Sequence, residues 1–508
     1  VELIQLHLPA LIVVLPLVTG LLTALLGRGG RGWWISLGAT GAVLAATLQL
    51  LAQVVYQGPQ TVTYLMGNWP MPYGIGYVVD PLNAAVMATV ALIGFVVTLY
   101  AGRSMAPEIS PDRARYFWAV WQFCLVGLLG ITITGDAFNF YVLLEISSLS
   151  TYTLIAMGHG RDRRALTAAI HYLVLGTIGA CCYLVGIAYL YMVTGSLNFA
   201  DIHARLADIY ATWATDAPVY KKTIIAGFAF IMVGLSLKLA LFPLHVWQPN
   251  AYTYAPAAVS ALLAGTATKV GAYGMIRIVY SVMGTDFAFT FLRSDILLAA
   301  CALMAILVGS LQAIKQTNAK KLLAYSSVGQ IGYIALGIAA NNVAGLQAAV
   351  IHIFNHALTK GAMFMALGCV LYRTGGVRLE HLRGLGRKMP LTCAAFLVGG
   401  MGLIGVPLTS GFVSKWYLVQ SALERQWLAP AGVVLVGSIL ALVYVGRCAE
   451  AMYFGQRPEN SPEVREAPLS MLVPTLLLAA ASLYFGIDSG TTSRVSEAAA
   501  KFLLGVAP

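Results

Sequence analysis

Six titratable side chains interrupt long apolar runs: Glu145, Lys238, Lys269, His356, Lys360 and Lys415. A charge at the centre of a bilayer costs about 2.5–3.5 kcal/mol on insertion scales. Such groups are retained where they face one another or water, and there they mark ion pathways and proton relays. Burial favours a neutral amine, whereas a nearby carboxylate favours the ammonium. A lysine held between these two influences can exchange a proton as its partner moves. The set therefore points to conduction of protons or small cations.

Each residue has a distinct setting. Glu145 lies about ten residues from either end of its run, about 15 Å of helix, and is too short to reach water. It must be neutral or paired with a cation on another helix. A Glu that only bonds helices together is the structural alternative. Asp136, nine residues earlier, suits a helix N-cap. Lys238 stands just before Pro243, which removes an amide donor and breaks or kinks a helix. Lys269 falls in the middle of the next run. For either lysine, the alternative is a fixed partner for Glu145.

His352, His356 and Lys360 are four residues apart, on one helical face over about 12 Å. Two imidazoles and an amine in line suit a proton relay. Two His at this spacing can also begin a metal site, but no acidic or Cys ligand is near in sequence, so no metal is expected. His352, nearer the helix end, also fits an ordinary bonded His. In Gly405-Val-Pro407-Leu-Thr-Ser410-Gly411-Phe-Val-Ser414-Lys415, Pro407 predicts a second broken helix with a lysine near the break.

These residues need long helices to position them. The chain has 508 residues, 59% hydrophobic and 10% charged, far below the roughly 25% charged residues of soluble domains. It reads as one all-α integral membrane domain, 1–508. Fourteen runs have the roughly 20 residues needed to cross a bilayer: 8–26, 33–54, 82–102, 116–134, 136–157, 165–194, 223–243, 255–283, 294–314, 321–340, 345–372, 391–416, 429–454 and 468–486. The first run has no basic region before it and is expected to be a retained helix, not a cleaved signal. Connections near 55–80, 196–222 and 373–390 read as loops.

Basic residues gather after odd-numbered spans, as with Arg161, Arg163 and Arg164, or Arg378, Arg383 and Arg387. This bias places those loops in the cytoplasm and both termini outside. The same pattern accounts for the net charge of +11 without a nucleic-acid partner. The seven cysteines lack metal spacing and read as packing residues. Broken spans 7 and 12 suggest two five-helix repeats, about 116–283 and 294–454, the second inverted because five is odd. One feature disagrees: Pro243 follows its lysine and Pro407 precedes its own. Lys315 to Tyr333 reads as a cytoplasmic anchor entering a close-packed helix, and Asp80-Pro81 as a helix start. Neither is assigned to conduction.

The run Phe242-Pro-Leu-His-Val-Trp-Gln-Pro, Ala255-Pro256 with Ser260, Lys269 and Gly271, Lys320-Lys-Leu-Leu-Ala-Tyr-Ser-Ser, and His356 with Lys360 resembles the antiporter-like subunits of respiratory complex I, Mrp-type Na+/H+ antiporters and membrane-bound hydrogenases. Gln248 and Asn250 depart from the common pattern. Gly67-Asn-Trp-Pro, Thr194-Gly-Ser-Leu-Asn and Ser410-Gly-Phe-Val-Ser-Lys are most similar to Mrp D subunits. The resemblance implies fourteen helices, outward termini and two inverted repeats. It also implies a gating Glu145–Lys238 pair and proton or ion sites at Lys269, His356, Lys360 and Lys415. About twenty residues follow the last span, so the lateral helix of the longest members is not expected.

The implied function is a proton-translocating subunit of a multisubunit Na+ or K+/proton antiporter in a bacterial or archaeal plasma membrane. It would work with other membrane subunits and without its own cofactor or catalytic residue. The alternatives are a proton-pumping subunit of a complex I-like NADH:quinone oxidoreductase or hydrogenase, a non-conducting scaffold, and a partner in inorganic-carbon uptake.

Overall fold

A computed structural model of the chain describes residues 2–28, 30–57, 61–212, 218–457 and 463–506. Residues 58–60 and 213–217, inside two of the connections read as loops, lie outside the described set. The helices are α1 (Glu2–Leu26), α2 (Arg31–Tyr56), α3 (Pro81–Ser104), α4 (Pro111–Ile133), α5 (Ala137–Ala156), α6 (Arg164–Thr194), α7 (Phe199–Thr212), α8 (Pro218–Leu239), α9 (Gln248–Tyr254) and α10 (Ala257–Gly265). They continue with α11 (Ala267–Ile276), α12 (Ser294–Ile314), α13 (Ala319–Ala339), α14 (Val343–Thr374), α15 (Leu379–Leu382), α16 (Pro390–Ile404), α17 (Ser410–Glu424), α18 (Leu428–Tyr453), α19 (Leu469–Ile487) and α20 (Gly490–Leu504). A short antiparallel hairpin, β1 (Val62–Leu65) and β2 (Gly76–Val79), precedes α3.

Eleven of the described helices are long and apolar enough to cross a membrane. Three further helical segments, α10–α11, α14 and α16–α17, are of spanning length but interrupted or polar. Together they give the fourteen expected. The helix α14 is central and is buried along almost its whole length, from Ala344 to Leu371. It packs against α3, α10, α13, α16, α17, α19 and α20. A helix carrying His352, Asn355, His356, Thr359 and Lys360 is tolerable in a bilayer only in such a place, surrounded by protein.

Both breaks expected from Pro243 and Pro407 are present. The helix α8 ends at Leu239, and Ala240 takes a left-handed φ of 60°. Leu241 N–H then bonds back to Ser236 O at 3.0 Å. The helix α16 ends the same way: Gly405 has a φ of 86°, and Val406 N–H bonds back to Met401 O at 3.1 Å. The two prolines follow a left-handed residue, Pro243 three positions after Ala240 and Pro407 two positions after Gly405. Their different order relative to the lysines arises because Lys238 lies before its break and Lys415 after.

The same bonds recur elsewhere. Asp136 caps α5 by accepting from Asn139 N–H at 2.6 Å, and Asn318 caps α13 by accepting from Lys321 N–H at 3.2 Å. Each cap is stitched to the segment after the following long helix. Ala137 N–H donates to Leu197 O (2.8 Å) and Phe199 N–H to Gly135 O (2.9 Å); Ala319 N–H donates to Val377 O (2.8 Å) and Leu379 N–H to Thr317 O (2.9 Å). A Cβ at Gly127 would meet Ser147 N at 2.4 Å, and one at Gly309 would meet Gly329 N at 2.6 Å. Glycine lets α4 approach α5, and α12 approach α13, with backbones in contact.

Three expectations need correction. Span 8 is not continuous: it breaks at Thr266, between α10 and α11, and becomes a wider π-helix over Arg277–Met283. The connection 196–222 holds the amphipathic helix α7, whose apolar side chains Phe199, Ile202 and Leu206 are buried. The connection 373–390 contains α15. The tail beyond α19, although short, folds into α20 and returns against α3 and α14.

Candidate functional site

The four lysines are buried, from 0% exposed for Lys269 and Lys360 to 8% for Lys238. Among the described residues, none has a carboxylate within ion-pair distance. Each amine is held by neutral oxygens instead. Lys238 Nζ donates to Ser147 Oγ at 2.8 Å and Ser148 Oγ at 2.9 Å on α5. Lys269 Nζ donates to Ala264 O, a carbonyl freed by the break at Thr266. Lys360 Nζ donates to Leu323 O at 2.8 Å and to Ser326 Oγ on α13. Lys415 Nζ donates to Leu403 O (2.8 Å), Ile404 O (3.0 Å) and Ser438 Oγ (2.9 Å), and lies 4.6 Å from the centre of the Tyr333 ring.

The two histidines of α14 differ. His352 is bonded on both ring nitrogens, Nδ1 with Ser414 Oγ at 2.8 Å and Nε2 with Gln330 Oε1 at 3.1 Å. His356, 1% exposed, has no hydrogen-bond partner on either nitrogen. Their rings stack at 5.9 Å between centroids. Buried polar atoms are almost always bonded, to protein or to water, so His356, with both ring nitrogens unpartnered among the described residues, differs sharply from His352.

Mutual charge interaction shows which groups are brought together. Lys269 interacts with His352, His356 and Lys360, and Lys415 with His352. Glu145 interacts with Lys238. The predicted residues thus form two groups, Glu145 with Lys238 and the other five, joined by polar residues that the charge pattern did not flag. Tyr172 neighbours Ser148 and Tyr252; Tyr252 neighbours Thr268 and Gln248. The Tyr172 and Thr268 hydroxyls and both Gln248 side-chain polar atoms are buried without a partner. Glu145 is half-buried, with Oε1 unpartnered, and flanked by exposed Val142 and Leu149. It faces the protein's edge. Pro243 and Pro407 lie in the turns after the two breaks.

The segment Lys315 to Tyr333, read as an anchor only, takes part in the site: Ser326, Gln330 and Tyr333 hold Lys360, His352 and Lys415. Lys320 is buried at 4% and donates to Ala255 O at 2.7 Å. Beside it Glu108, in the loop between α3 and α4, accepts from Ala257 N–H at 3.0 Å and lies 3.9 Å from Arg161. Burial holds the Glu108 carboxyl above its ordinary value, opposed by Lys320, the Ala257 amide and Arg161. These groups wall an open cavity of about 760 Å³ on the side with the basic loops.

Among the described residues, the buried amines and imidazoles of α8, α11, α14 and α17 thus lie close to one another without counter-ions. The chain belongs to the family described as "NADH:quinone oxidoreductase/Mrp antiporter, TM", matched over residues 134–441. It is 42% identical over 95% of its length to the N subunit of an NADH-quinone oxidoreductase from Desulforudis audaxviator, covering 96% of that protein. It is 30% identical over 97% of its length to the D subunit of a Na(+)/H(+) antiporter from Bacillus subtilis, also covering 96%. Its fold matches a protein of the Mrp complex from Dietzia with a TM-score of 0.89, at 26% identity and covering 99% of this chain and 98% of that one. A protein of an archaeal membrane-bound sulfane sulfur reductase matches with a TM-score of 0.87, at 29% identity and 98% of both chains.

Proposed function

We propose that the chain translocates protons as one subunit of a multisubunit Na+ or K+/proton antiporter in a bacterial or archaeal plasma membrane. The observation that carries this reading is His356, whose two nitrogens are buried and unpartnered between Lys269 and Lys360. A histidine that only stabilised packing would be bonded, as His352 is. Four buried amines without counter-ions cannot all be protonated together, because uncompensated charge is costly in a low dielectric. A proton shared among them moves between neighbours. Water bonded to the orphaned Gln248, Thr268 and Tyr172 atoms joins Lys238 to Lys269. Glu145, half-buried at the edge, meets an adjoining membrane subunit, in keeping with relatives found in multisubunit complexes. The recurring caps and breaks support two copies of one unit, 116–283 and 294–454, inverted, with both termini outward.

The 42% identity to an NADH-quinone oxidoreductase protein favours a second reading, proton pumping within a complex I-like machine. Reconstitution of the purified complex separates the two. Proton flux driven by a Na+ or K+ gradient supports the antiporter. Flux that needs quinone reduction, with iron–sulfur and flavin subunits co-purifying, supports the redox machine.

A further inference from the structure

A second cavity, of about 810 Å³, apolar over most of its wall but with a charged floor, opens at the other end of the molecule. It is walled by segments that follow even-numbered spans, those with few basic residues, and so lies on the outward side. Thr63 and Ala200 are exposed at its rim, Ser281 is half-buried, and Asp80, Tyr273 and Arg277 form its buried floor. Arg277 Nη2 meets Asp80 Oδ2 at 2.7 Å, and Arg277 Nε donates to the Tyr273 hydroxyl at 3.2 Å. The Asp80 carboxylate is within charge-interaction range of that hydroxyl.

Sequence spacing joins this floor to the central row. Lys269, Tyr273 and Arg277 are four residues apart on α11 and its π-helical continuation, hence on one face, about 5.4 Å per turn. Lys269 now points back to Ala264 O. A lysine stem is long and flexible enough to swing the other way, toward Tyr273. A π-helical segment at that point is a common mark of a functional site.

We propose that this cavity is an outward aqueous vestibule, exchanging protons with Lys269 through Tyr273 and Asp80. It rests on the transport reading above. One proton moves. The Lys269 ammonium gives it to Tyr273 Oη as that hydroxyl releases its own proton to the Asp80 carboxylate. Asp80 then passes a proton to vestibule water, and Arg277 keeps its charge throughout and positions Asp80. In the present arrangement Lys269 is turned away, so the path is closed until α10 and α11 shift.

The test uses the purified complex in vesicles with the outward face outside. Ser281→Cys is treated with a charged, membrane-impermeant methanethiosulfonate, with the treated wild type as control for native cysteines. The vestibule predicts that untreated Ser281→Cys conducts, and that outside reagent labels it and stops most proton flux. Tyr273→Phe, which keeps the ring, should lower flux by about tenfold or more. Ser281→Cys that is unlabelled from outside, or fully labelled with undiminished flux, overturns the vestibule. If wild type conducts and Lys238→Ala does not, that failure concerns the vestibule alone. A wild-type complex without proton flux retires the transport reading and the vestibule with it.

Discussion

The two helix breaks share a backbone but satisfy it differently. After α8, the Trp247 indole donates to the buried Leu237 carbonyl at 2.8 Å, which also accepts from Ala240 N–H at 3.2 Å. Lys238 is therefore free of the break and reaches across to the hydroxyls of α5. After α16 no indole takes this place, and Lys415 itself donates to Leu403 O and Ile404 O. One lysine bonds hydroxyls of a neighbouring helix; the other caps the break beside it. Removing them should separate function from stability.

The largest expected difference lies there. Lys415→Ala leaves two buried carbonyls short of a donor, at about 1–3 kcal/mol each. Its unfolding midpoint in detergent should fall well below wild type. Lys238→Ala should fall less, because Ser147 and Ser148 still donate to Leu144 O at 2.8 Å each. Equal losses would mean that the breaks are held alike.

Next come the paired glycines. Gly127→Ala and Gly309→Ala each push a methyl into a facing backbone, for about 1–3 kcal/mol of overpacking. Similar losses of thermal midpoint in both variants would support two copies of one unit; a loss in only one would argue against matched packing.

Trp247→Phe keeps an aromatic side chain but removes the donor to Leu237 O. A loss of about 1–3 kcal/mol, with Lys238-dependent flux weakened less than stability, would assign the indole to the backbone rather than to proton transfer. Undisturbed stability would remove the contrast between the breaks.

The smallest effect concerns pH. Burial raises the Glu108 carboxyl above its unfolded value, so the folded protein binds its proton more tightly. That contribution to stability is present below the unfolded pKa and is lost as pH rises through the folded one. Thermal midpoints measured from acid to neutral pH should show this fall, and Glu108→Gln should flatten it.

Much of this was legible in sequence because charged residues in apolar runs stand out. Glu145, the four lysines and the His352–His356 pair could be named from their places in apolar runs, as could the breaks at Pro243 and Pro407. The residues that hold them could not. Ser326, Gln330 and Ser438 are uncharged, and such residues occur in any close-packed membrane helix. Lys320 was hidden because a basic residue in a cytoplasmic loop already has a topological reason to be there. The break at Thr266 carries no proline, so nothing in the sequence marks the non-helical backbone there. The apolar spacing Phe199, Ile202, Leu206 was a readable signal for α7, masked by the polar composition of its flanks.

On the proposed reading, protons pass along neutral and charged forms of the buried amines, gated by Glu145 and Lys238. Cation-dependent proton flux through the reconstituted complex, compared for wild type, Lys238→Ala and Glu145→Gln, tests it most directly. Both variants should assemble and lose nearly all flux. Undiminished flux in both would leave these charges as bonds between helices and nothing more.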